Sequence, residues 1–292
     1  MKHAPIRHGL EIALFEVVLR LLRLLPHTAS RSIGRCLGGA AWRIIGRRRR
    51  VARDNLARVF PDLGEAAREE IGREAFRHFA GMAFDSISSF RFDAAALRER
   101  LTIDGWENLE AAEAKGRGVL LMSAHLGTWE MAAQAPALLG RRAHVIGRPL
   151  NNPHLNRRLM KLRRRFGNES ILKRGAARGS LRVLRDGGLV GILIDQRVQP
   201  QHGILVPFFG HEGYTAPLLA KLVLRTGAPV VPVYGHLEPG GRYRVVFHPA
   251  LDVAVDGDDA VAEITRRCLA DVETRIREAP GTWMWGHRRW RR

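Results

Sequence analysis

The stretch SAHLGTWE places His125 and Glu130 five positions apart, directly after the apolar run VLLM. On one continuous helix, side chains five residues apart point roughly 140° away from each other, and on a strand they lie on opposite faces. The spacing brings them together when His125 follows a strand and Glu130 lies in the first turn of the next helix. Glu130 then accepts a hydrogen bond from one ring nitrogen, and the other nitrogen can remove a substrate proton as a general base. The structural alternative is a strand-end histidine followed by a glutamate that the helix dipole favours.

Other catalytic signatures are missing from the sequence. It has no GxSxG elbow, no HExxH zinc motif and no GxxxxGK[ST] or GxGxxG phosphate-binding loop, and neither Cys36 nor Cys268 stands beside a plausible base. We therefore expect no metal, no cofactor and no covalent enzyme intermediate. What remains is a substrate hydroxyl, deprotonated by His125, that attacks directly and needs donors for the developing oxyanion.

Candidate donors and substrate-binding residues follow along the chain, mostly after predicted strands. In open α/β sheets, ligands gather at the carboxyl ends of strands, which is where GRPLNNP and LIDQR stand. The VPFFG stretch adds adjacent aromatics and a glycine before a helix. The expected substrate-binding residues are Arg148, Asn151, Asp195, Gln196, Phe209 and Gly210. The alternatives are a surface role for Arg148 and a helix N-cap role for Asp195.

Short apolar runs alternate with helical patterns beyond the first hundred residues. The runs predict strands near 118–123, 143–147, 189–194, 229–234 and 243–248. The helical patterns cover 155–166, 176–185, 215–226 and 258–278. Near-continuous apolar strands that alternate with helices are typical of a parallel sheet covered on both faces. The sequence therefore predicts an α/β fold with a mainly parallel central sheet flanked by helices.

The N-terminal segment LEIALFEVVLRLLRLLP predicts an amphipathic helix. Four polar or charged residues of this region fall on one side at helical spacing, and they are Glu16, Arg20, Arg23 and His27. They interrupt the run of roughly 20 apolar residues that a spanning helix requires, whereas a broad apolar face with a basic stripe is typical of a helix lying in a membrane interface. The alternatives are a helix packed on the protein's own core and a tilted span whose arginines reach the interface.

This segment defines the expected domain organisation. The basic run Arg47–Arg50 could meet anionic headgroups, and no linker or repeat divides the chain after it. We therefore expect a membrane-associating helical segment at residues 1–50 and an α/β domain at residues 51–292. At the other end, Trp283, Trp285 and Trp290 interleave with arginines that reach Arg292, which suggests an interfacial belt, or else core aromatics beside a solvated tail.

The overall charge favours an anionic partner. The 292 residues carry a formal net charge of +19, with 48 basic and 29 acidic side chains. A phospholipid surface, a nucleic acid, a phosphorylated substrate and an acidic carrier protein all fit such a balance. A nucleic acid is the poorest fit, because no recognised nucleic-acid fold is visible and the apolar N-terminal helix would then have no purpose.

Seven blocks in order carry a resemblance to a known family: SAHLGTWE, GRPLNNP, RRRFGN, GILIDQRV, VPFFG, TGAPVVPVY and PGTWMWGHRRW. Together they resemble the late acyltransferases of lipid A biosynthesis, the lauroyl and myristoyl transferases of Gram-negative bacteria. The resemblance implies that His125 and Glu130 form the His-x4-Asp/Glu catalytic pair. It also implies that Arg148 binds phosphate or stabilises the oxyanion, and that Asp195 belongs to the family's Asp-Gln pair.

The resemblance further implies a location and a set of partners. We expect a protein at the inner membrane, on its cytoplasmic face. It moves a fatty acyl group from acyl carrier protein or acyl-CoA to a hydroxyl of a glycolipid or phospholipid. The first expected acceptor is a lipid A precursor. Relatives that acylate phosphatidylinositol mannosides or amino-acid lipids share the motifs and form the first alternative. A non-catalytic basic protein that binds lipid or nucleic acid is the second.

Overall fold

The computed structural model describes residues 4–172 and 175–290. Its α-helices are α1 Ala4–Leu24, α2 His27–Ile44, α3 Gly46–Val59, α4 Glu65–Ser88, α5 Ala94–Arg98, α6 Trp106–Glu113, α7 Trp129–Leu138, α8 Pro153–Arg164, α9 Ala176–Arg185, α10 Leu218–Thr226 and α11 Ala260–Glu278. Its strands are β1 Leu101–Asp104, β2 Val119–Ser123, β3 Ala143–Gly147, β4 Glu169–Leu172, β5 Leu189–Leu193, β6 Ile204–Phe208, β7 His211–Thr215, β8 Val230–Glu238 and β9 Arg242–Phe247.

A seven-stranded sheet in the order β1-β9-β8-β2-β5-β3-β4 forms the centre of the fold. All neighbouring strands in it run parallel except β8 and β9, which are antiparallel. Strands β6 and β7 form a separate antiparallel hairpin. This architecture confirms the predicted α/β class with a mainly parallel sheet.

Both faces of the sheet are buried, as the apolar strands require. Along β2, Leu120 and Met122 join one hydrophobic cluster, and Val119 and Leu121 join the other. The first cluster also contains residues of α3, α10, α11 and the β6–β7 hairpin, and the second contains residues of α5, α6 and α7. Successive side chains of a strand point to opposite faces, so a strand with helices on both sides is apolar throughout.

The five predicted strands correspond to β2, β3, β5, β8 and β9, and the four predicted helices to α8, α9, α10 and α11. Sequence reasoning missed β1, β4 and the β6–β7 hairpin. The first two are four-residue edge strands in the sequences LTID and ESIL, too short and too polar for an apolar-run pattern. In the hairpin, Pro207 obscures the strand pattern, since proline donates no ladder hydrogen bond.

Helices α2 and α4 pack closely because α2 carries glycines on the face that meets α4. A Cβ atom at Gly38 would lie 2.3 Å from the carbonyl oxygen of Phe76, and one at Gly34 would lie 2.6 Å from that of Ala80. This packing joins the N-terminal segment to the following helices, and residue 50 falls inside α3. The boundary between units 1–50 and 51–292 stays a prediction.

In the predicted charged stripe from Glu16 to His27, the placement of His27 is wrong, because α1 ends at Leu24 and α2 begins at His27. His27 is buried, with its Nε2 atom 2.9 Å from Asp85 Oδ1, and Glu16 forms an ion pair with Arg158 of α8. The side chain of Arg23 lies outside the described residues.

What α1 does expose is a stripe of large apolar side chains. Its members stand four, three, four and three residues apart, and they are Leu10, Leu14, Val17, Leu21 and Leu24. This spacing places them on one face of the helix. Within residues 4–172 and 175–290, no helix is both long enough and apolar enough to cross a membrane.

The C-terminal tryptophans do not form an interfacial belt. Trp283, Trp285 and Trp290 are 1, 0 and 7 % exposed and belong to the core cluster of α10 and α11. Arg289 is fully buried beside them and donates a hydrogen bond to Thr215 Oγ1 at 2.6 Å. Arg291 and Arg292 lie outside the described residues.

Candidate active site

Two neighbouring parallel strands bring His125 and Asp195 together. In the register of β2 and β5, Ser123 pairs with Leu193, and each strand continues for two residues to reach His125 and Asp195. Because these residues lie at the same level beyond the carboxyl ends of adjacent strands, their side chains meet. The Nδ1 atom of His125 lies 2.9 Å from Oδ1 of Asp195. A histidine and a carboxylate that are 70 residues apart in sequence thus form a hydrogen-bonded pair.

Asp195 is held ionised in a buried position. It is 1 % exposed, and its second oxygen, Oδ2, accepts a hydrogen bond of 2.8 Å from the indole N–H of Trp283. Burial raises the pKa of the Asp195 carboxyl, but the His125 charge and the hydrogen bonds from His125 and Trp283 lower it more, so the net shift is downward. Both carboxylate oxygens therefore accept from nitrogen donors, which leaves Asp195 one orientation.

The Asp195 carboxylate tunes His125 as a base. Burial alone lowers the pKa of His125, and the charge and hydrogen bond of Asp195, together with the charge of Glu130, outweigh it, so the pKa is raised above 6.5. Since Nδ1 faces Asp195, the ring keeps its proton there in the neutral form, and Nε2 holds the free electron pair. This is the tautomer that a general base needs.

The turn after His125 is fixed on three sides. Leu126 forms an isolated antiparallel bridge with Trp283, the N–H of Gly127 donates to Thr282 O, and the N–H of Thr128 donates to Gly235 O. Gly127 has φ +56°, and a Cβ atom there would lie 2.0 Å from Gly235 O. Only glycine accommodates both the left-handed conformation and this close approach. The turn therefore holds His125 rigidly above the strand end.

The predicted hydrogen bond between His125 and Glu130 is wrong. Glu130 does lie in the first turn of α7, as expected, but both of its oxygens bind the guanidinium of Arg163 on α8, Oε2 at 3.0 Å from Nε. A bidentate arginine is a better partner for a carboxylate than an imidazole that already donates to Asp195. Glu130 remains close enough for its charge to raise the pKa of His125.

His125 opens onto a large cavity, called the main cavity here. Its volume is about 1350 Å³, and its lining combines the apolar side chains of Trp129, Val145, Ile194 and Leu218 with polar groups. The polar lining includes Glu130, Arg148, Arg163, Gln196, Lys221 and His287. Apolar walls with a few polar groups near a base suit a ligand that has a long hydrocarbon part and a charged or polar head. Among the described side chains, no group of three or more His, Cys, Asp or Glu could hold a metal ion.

Of the other predicted substrate-binding residues, some line the main cavity and some lie outside it. Arg148 and Gln196 line the main cavity, Arg148 as an exposed side chain at its rim. Asn151 is exposed in the turn before α8, outside the cavity lining. Phe209 and Gly210 form the turn of the β6–β7 hairpin, with φ +53° and +72°.

The substrate-binding role of Phe209 and Gly210 stays a prediction, and Phe209 is a core residue. It is 8 % exposed and packs edge-on against Phe60 and Phe208, and it does not line the main cavity.

Sequence reasoning missed three residues of the site: Trp283, Arg163 and His287. His287 lines the main cavity, and burial lowers its pKa to about 4, so the ring is neutral at physiological pH. Asn55 of α3 positions the backbone beside it by donating to Trp285 O and His287 O at 2.8 and 2.7 Å. The C-terminal block PGTWMWGHRRW contains both Trp283 and His287, and its residue types alone did not indicate which side chains face the site.

A family model for bacterial lipid A biosynthesis acyltransferases matches residues 5–292. The chain belongs to this family. Its members are acyltransferases, and the His125 site lies within the matched range. The seven sequence blocks therefore identified the family correctly.

Curated relatives agree with this membership at low identity. The chain is 28 % identical over 279 residues to the lipid A biosynthesis lauroyltransferase of Escherichia coli K12, covering 94 % of this chain and 89 % of that one. It is 25 % identical over 277 residues to the palmitoleoyltransferase of the same organism, with the same coverage. A phosphatidylinositol mannoside acyltransferase of Mycobacterium tuberculosis H37Rv is 29 % identical over 184 residues, 62 % of this chain and 57 % of that one.

Proposed function

We propose that this acyltransferase moves a fatty acyl group from a thioester donor to a hydroxyl of a lipid A precursor, with His125 as the general base. The observation that carries the proposal is the His125–Asp195 pair at the wall of a cavity of about 1350 Å³ with apolar sides and basic residues around it. The apolar part fits an acyl chain, and the basic residues fit the phosphates of a glycolipid acceptor or of the donor.

The reaction proceeds by direct transfer. His125 Nε2 takes the proton of the acceptor hydroxyl while the hydroxyl oxygen bonds to the thioester carbon. The carbonyl oxygen becomes an oxyanion, stabilised by Arg148 or by the neutral ring of His287, which both line the cavity. The tetrahedral species then collapses, the C–S bond breaks, and the thiolate takes the proton from the imidazolium. The products are an ester and a free thiol, with His125 neutral again. Asp195 stabilises the imidazolium between the two proton transfers.

Glu130 acts in this proposal through Arg163 and through its charge. Replacing Glu130 by glutamine leaves a largely buried guanidinium without its counter-ion and removes a charge that raises the pKa of His125. We expect Glu130→Gln to lower kcat on the order of tenfold, which is about 1.4 kcal/mol of transition-state stabilisation, and to move the rising limb of the pH–rate profile to lower pH. Steady-state kinetics between pH 5 and 9 measure both effects.

The double variant Glu130→Gln, Arg163→Gln is the control for this prediction. It replaces the ion pair by a neutral pair of similar shape, so it should recover much of the lost activity. Activity of the double variant that is as low as that of a His125 variant would instead give Glu130 a direct role in proton transfer.

We also propose that α1 lies in the cytoplasmic interface of the inner membrane. Its exposed stripe, from Leu10 to Leu24, presents five large apolar side chains to solvent, and the basic run Arg47–Arg50 begins α3. An apolar stripe accompanied by basic residues is typical of a helix that binds anionic bilayers from one side. The main cavity would then receive a lipid acceptor directly from the membrane.

Replacing Leu14 and Leu21 by glutamate tests this orientation. Each leucine contributes about 1.5–3 kcal/mol when buried in an apolar phase, so the double variant should lose at least 100-fold in partitioning into vesicles that contain phosphatidylglycerol. Sedimentation of vesicles with bound protein measures the loss. The matched variant Leu139→Glu, Leu205→Glu replaces two exposed leucines outside α1 and should bind as the parent does. Equal loss in both variants would contradict the proposal.

The direct test of function offers each donor and each acceptor separately. Purified protein receives acyl groups on acyl carrier protein or on coenzyme A, together with a lipid A precursor, a phosphatidylinositol mannoside or an amino-acid lipid. Transfer to the lipid A precursor supports the proposal. Transfer to another lipid alone would retain the mechanism and change the acceptor, and no transfer with any combination would overturn it.

A further inference from the structure

A second concave surface lies between α9 and α10, beside the main cavity. It encloses about 460 Å³ and is lined by Arg178, Arg182 and Arg185 of α9 and by Arg225 of α10. We call it the arginine groove. The spacing of four and three residues along α9 places its three arginines on one face of that helix. The face is about 10 Å long from Arg178 to Arg185.

The arginines of the groove are exposed and carry uncompensated charge. Among the residues with described side chains, no carboxylate lies within 4.0 Å of any of the four guanidinium groups. Some exposed arginines elsewhere do pair with carboxylates, as Arg141 does with Glu113 and Arg244 with Asp104. Asp186 is the acidic side chain in the lining of the groove. Several like charges on neighbouring turns repel one another, so the groove is a strong site for an anionic partner.

The groove continues the main cavity. Ala177 lines both of them. On α10, Lys221 lines the main cavity and Arg225, one turn further along, lines the groove. Two packed helices therefore lead from the cavity wall outwards, and both carry basic side chains into the groove. A ligand bound in the groove could extend a flexible arm past Ala177 towards His125.

The length of the basic face indicates the class of ligand. A single phosphate group spans only one or two guanidinium groups, whereas charges spread over about 10 Å at helical spacing match carboxylates on the surface of a partner's helix. The membrane is a poorer partner for this surface, because α1, the helix that carries the apolar stripe, packs mainly beside α4 and α8.

We infer that the arginine groove docks an acidic acyl carrier protein, whose thioester arm then enters the main cavity past Ala177. This inference rests on the proposed function, since it assigns the protein that presents the thioester. Exposed complementary charges raise the association rate and hold the partner in register, and their contribution falls as salt rises.

The test compares the KM values for two acyl donors and adds one binding measurement. In the triple variant Arg178→Gln, Arg182→Gln, Arg185→Gln, the KM for acyl carrier protein loaded with a fatty acyl group should rise about tenfold. The KM for the same acyl group on pantetheine, which has no protein, should stay unchanged. Fluorescence titration with non-acylated acyl carrier protein should show a similar loss of affinity, without any turnover.

The matched control is Arg266→Gln, Arg267→Gln, Arg277→Gln, which removes the same charge from α11, where these arginines pair with glutamates. It should leave the KM for the carrier protein near the parent value. An unchanged KM and affinity in the α9 variant, or equal losses in both variants, would overturn the inference. Absence of transfer from every donor would overturn the proposed function, and the titration would still decide whether the groove binds the carrier protein.

Discussion

Replacing His125 by alanine is expected to lower kcat for acyl transfer by roughly 10²–10⁴-fold, which is the usual contribution of a positioned general base. The substitution removes the nitrogen that takes the acceptor proton and leaves the Asp195 carboxylate buried without its imidazole partner. Transfer of a labelled acyl group to the acceptor lipid, under saturating donor, measures the loss. The KM for the donor should change little, because the proton is transferred only in the transition state.

The fold of the variant can be checked independently. Trp129 lies beside His125 with ring centroids 5.4 Å apart, so its fluorescence reports on the local packing. The control is His154→Ala, which truncates an exposed histidine of α8 and should leave kcat at the parent value. If His125→Ala were folded and fully active, the base would have to be another group and the proposed mechanism would be wrong.

The central sheet could be predicted because its strands are apolar on both faces. β2, β3, β5, β8 and β9 all stand out as short apolar runs, and a strand between two layers of helices must have this composition. β1 and β4 lie at the sheet edges, where fewer apolar contacts are available, and their short sequences give no such signal. The buried central strands could therefore be predicted from their apolar sequences, and the edge strands β1 and β4 could not.

The partner of His125 could not be predicted from local spacing. His125 and Asp195 were each expected at a strand end, but β5 lies beside β2 only after the chain has passed through β3 and β4. The order of strands in a sheet depends on how the whole chain packs, and five-residue spacing favoured Glu130 instead. Trp283 is 157 residues beyond Leu126, its bridge partner, and no pattern near either residue indicates that contact.

Replacing Asp195 by asparagine is expected to reduce kcat by up to roughly 10⁴-fold, as for a histidine placed in the wrong tautomer. The buried carboxylate accepts from two N–H groups, those of His125 and Trp283. An amide has one oxygen, and the indole N–H of Trp283 can only donate, so the oxygen turns to Trp283 and the NH₂ group faces His125. The Nδ1 atom must then accept, the ring proton moves to Nε2, and the base loses its free electron pair.

The pH–rate profile of Asp195→Asn should shift in a definite direction relative to that of the parent protein. In the parent protein the pKa of His125 is raised by Asp195, and the base is active above that pKa, so the rate increases as pH rises through a midpoint above 6.5. Without the carboxylate, the main causes that raise the pKa of the ring are gone, so burial outweighs the remaining charge of Glu130 and the pKa falls. The residual activity of Asp195→Asn should therefore rise through a midpoint at lower pH. Asp62→Asn, at an exposed turn, should retain the parent profile.

The role of the Trp283 indole N–H in orienting the side chain at position 195 can be tested by combining substitutions. In Trp283→Phe the indole donor is absent, so the amide introduced by Asp195→Asn is free to turn its oxygen towards His125 Nδ1 and restore the tautomer of the base. The asparagine substitution should therefore cost much less activity in the Trp283→Phe background than alone. Equal losses in both backgrounds would mean that the charge of Asp195, and not the orientation it imposes on the His125 ring, is what proton transfer requires.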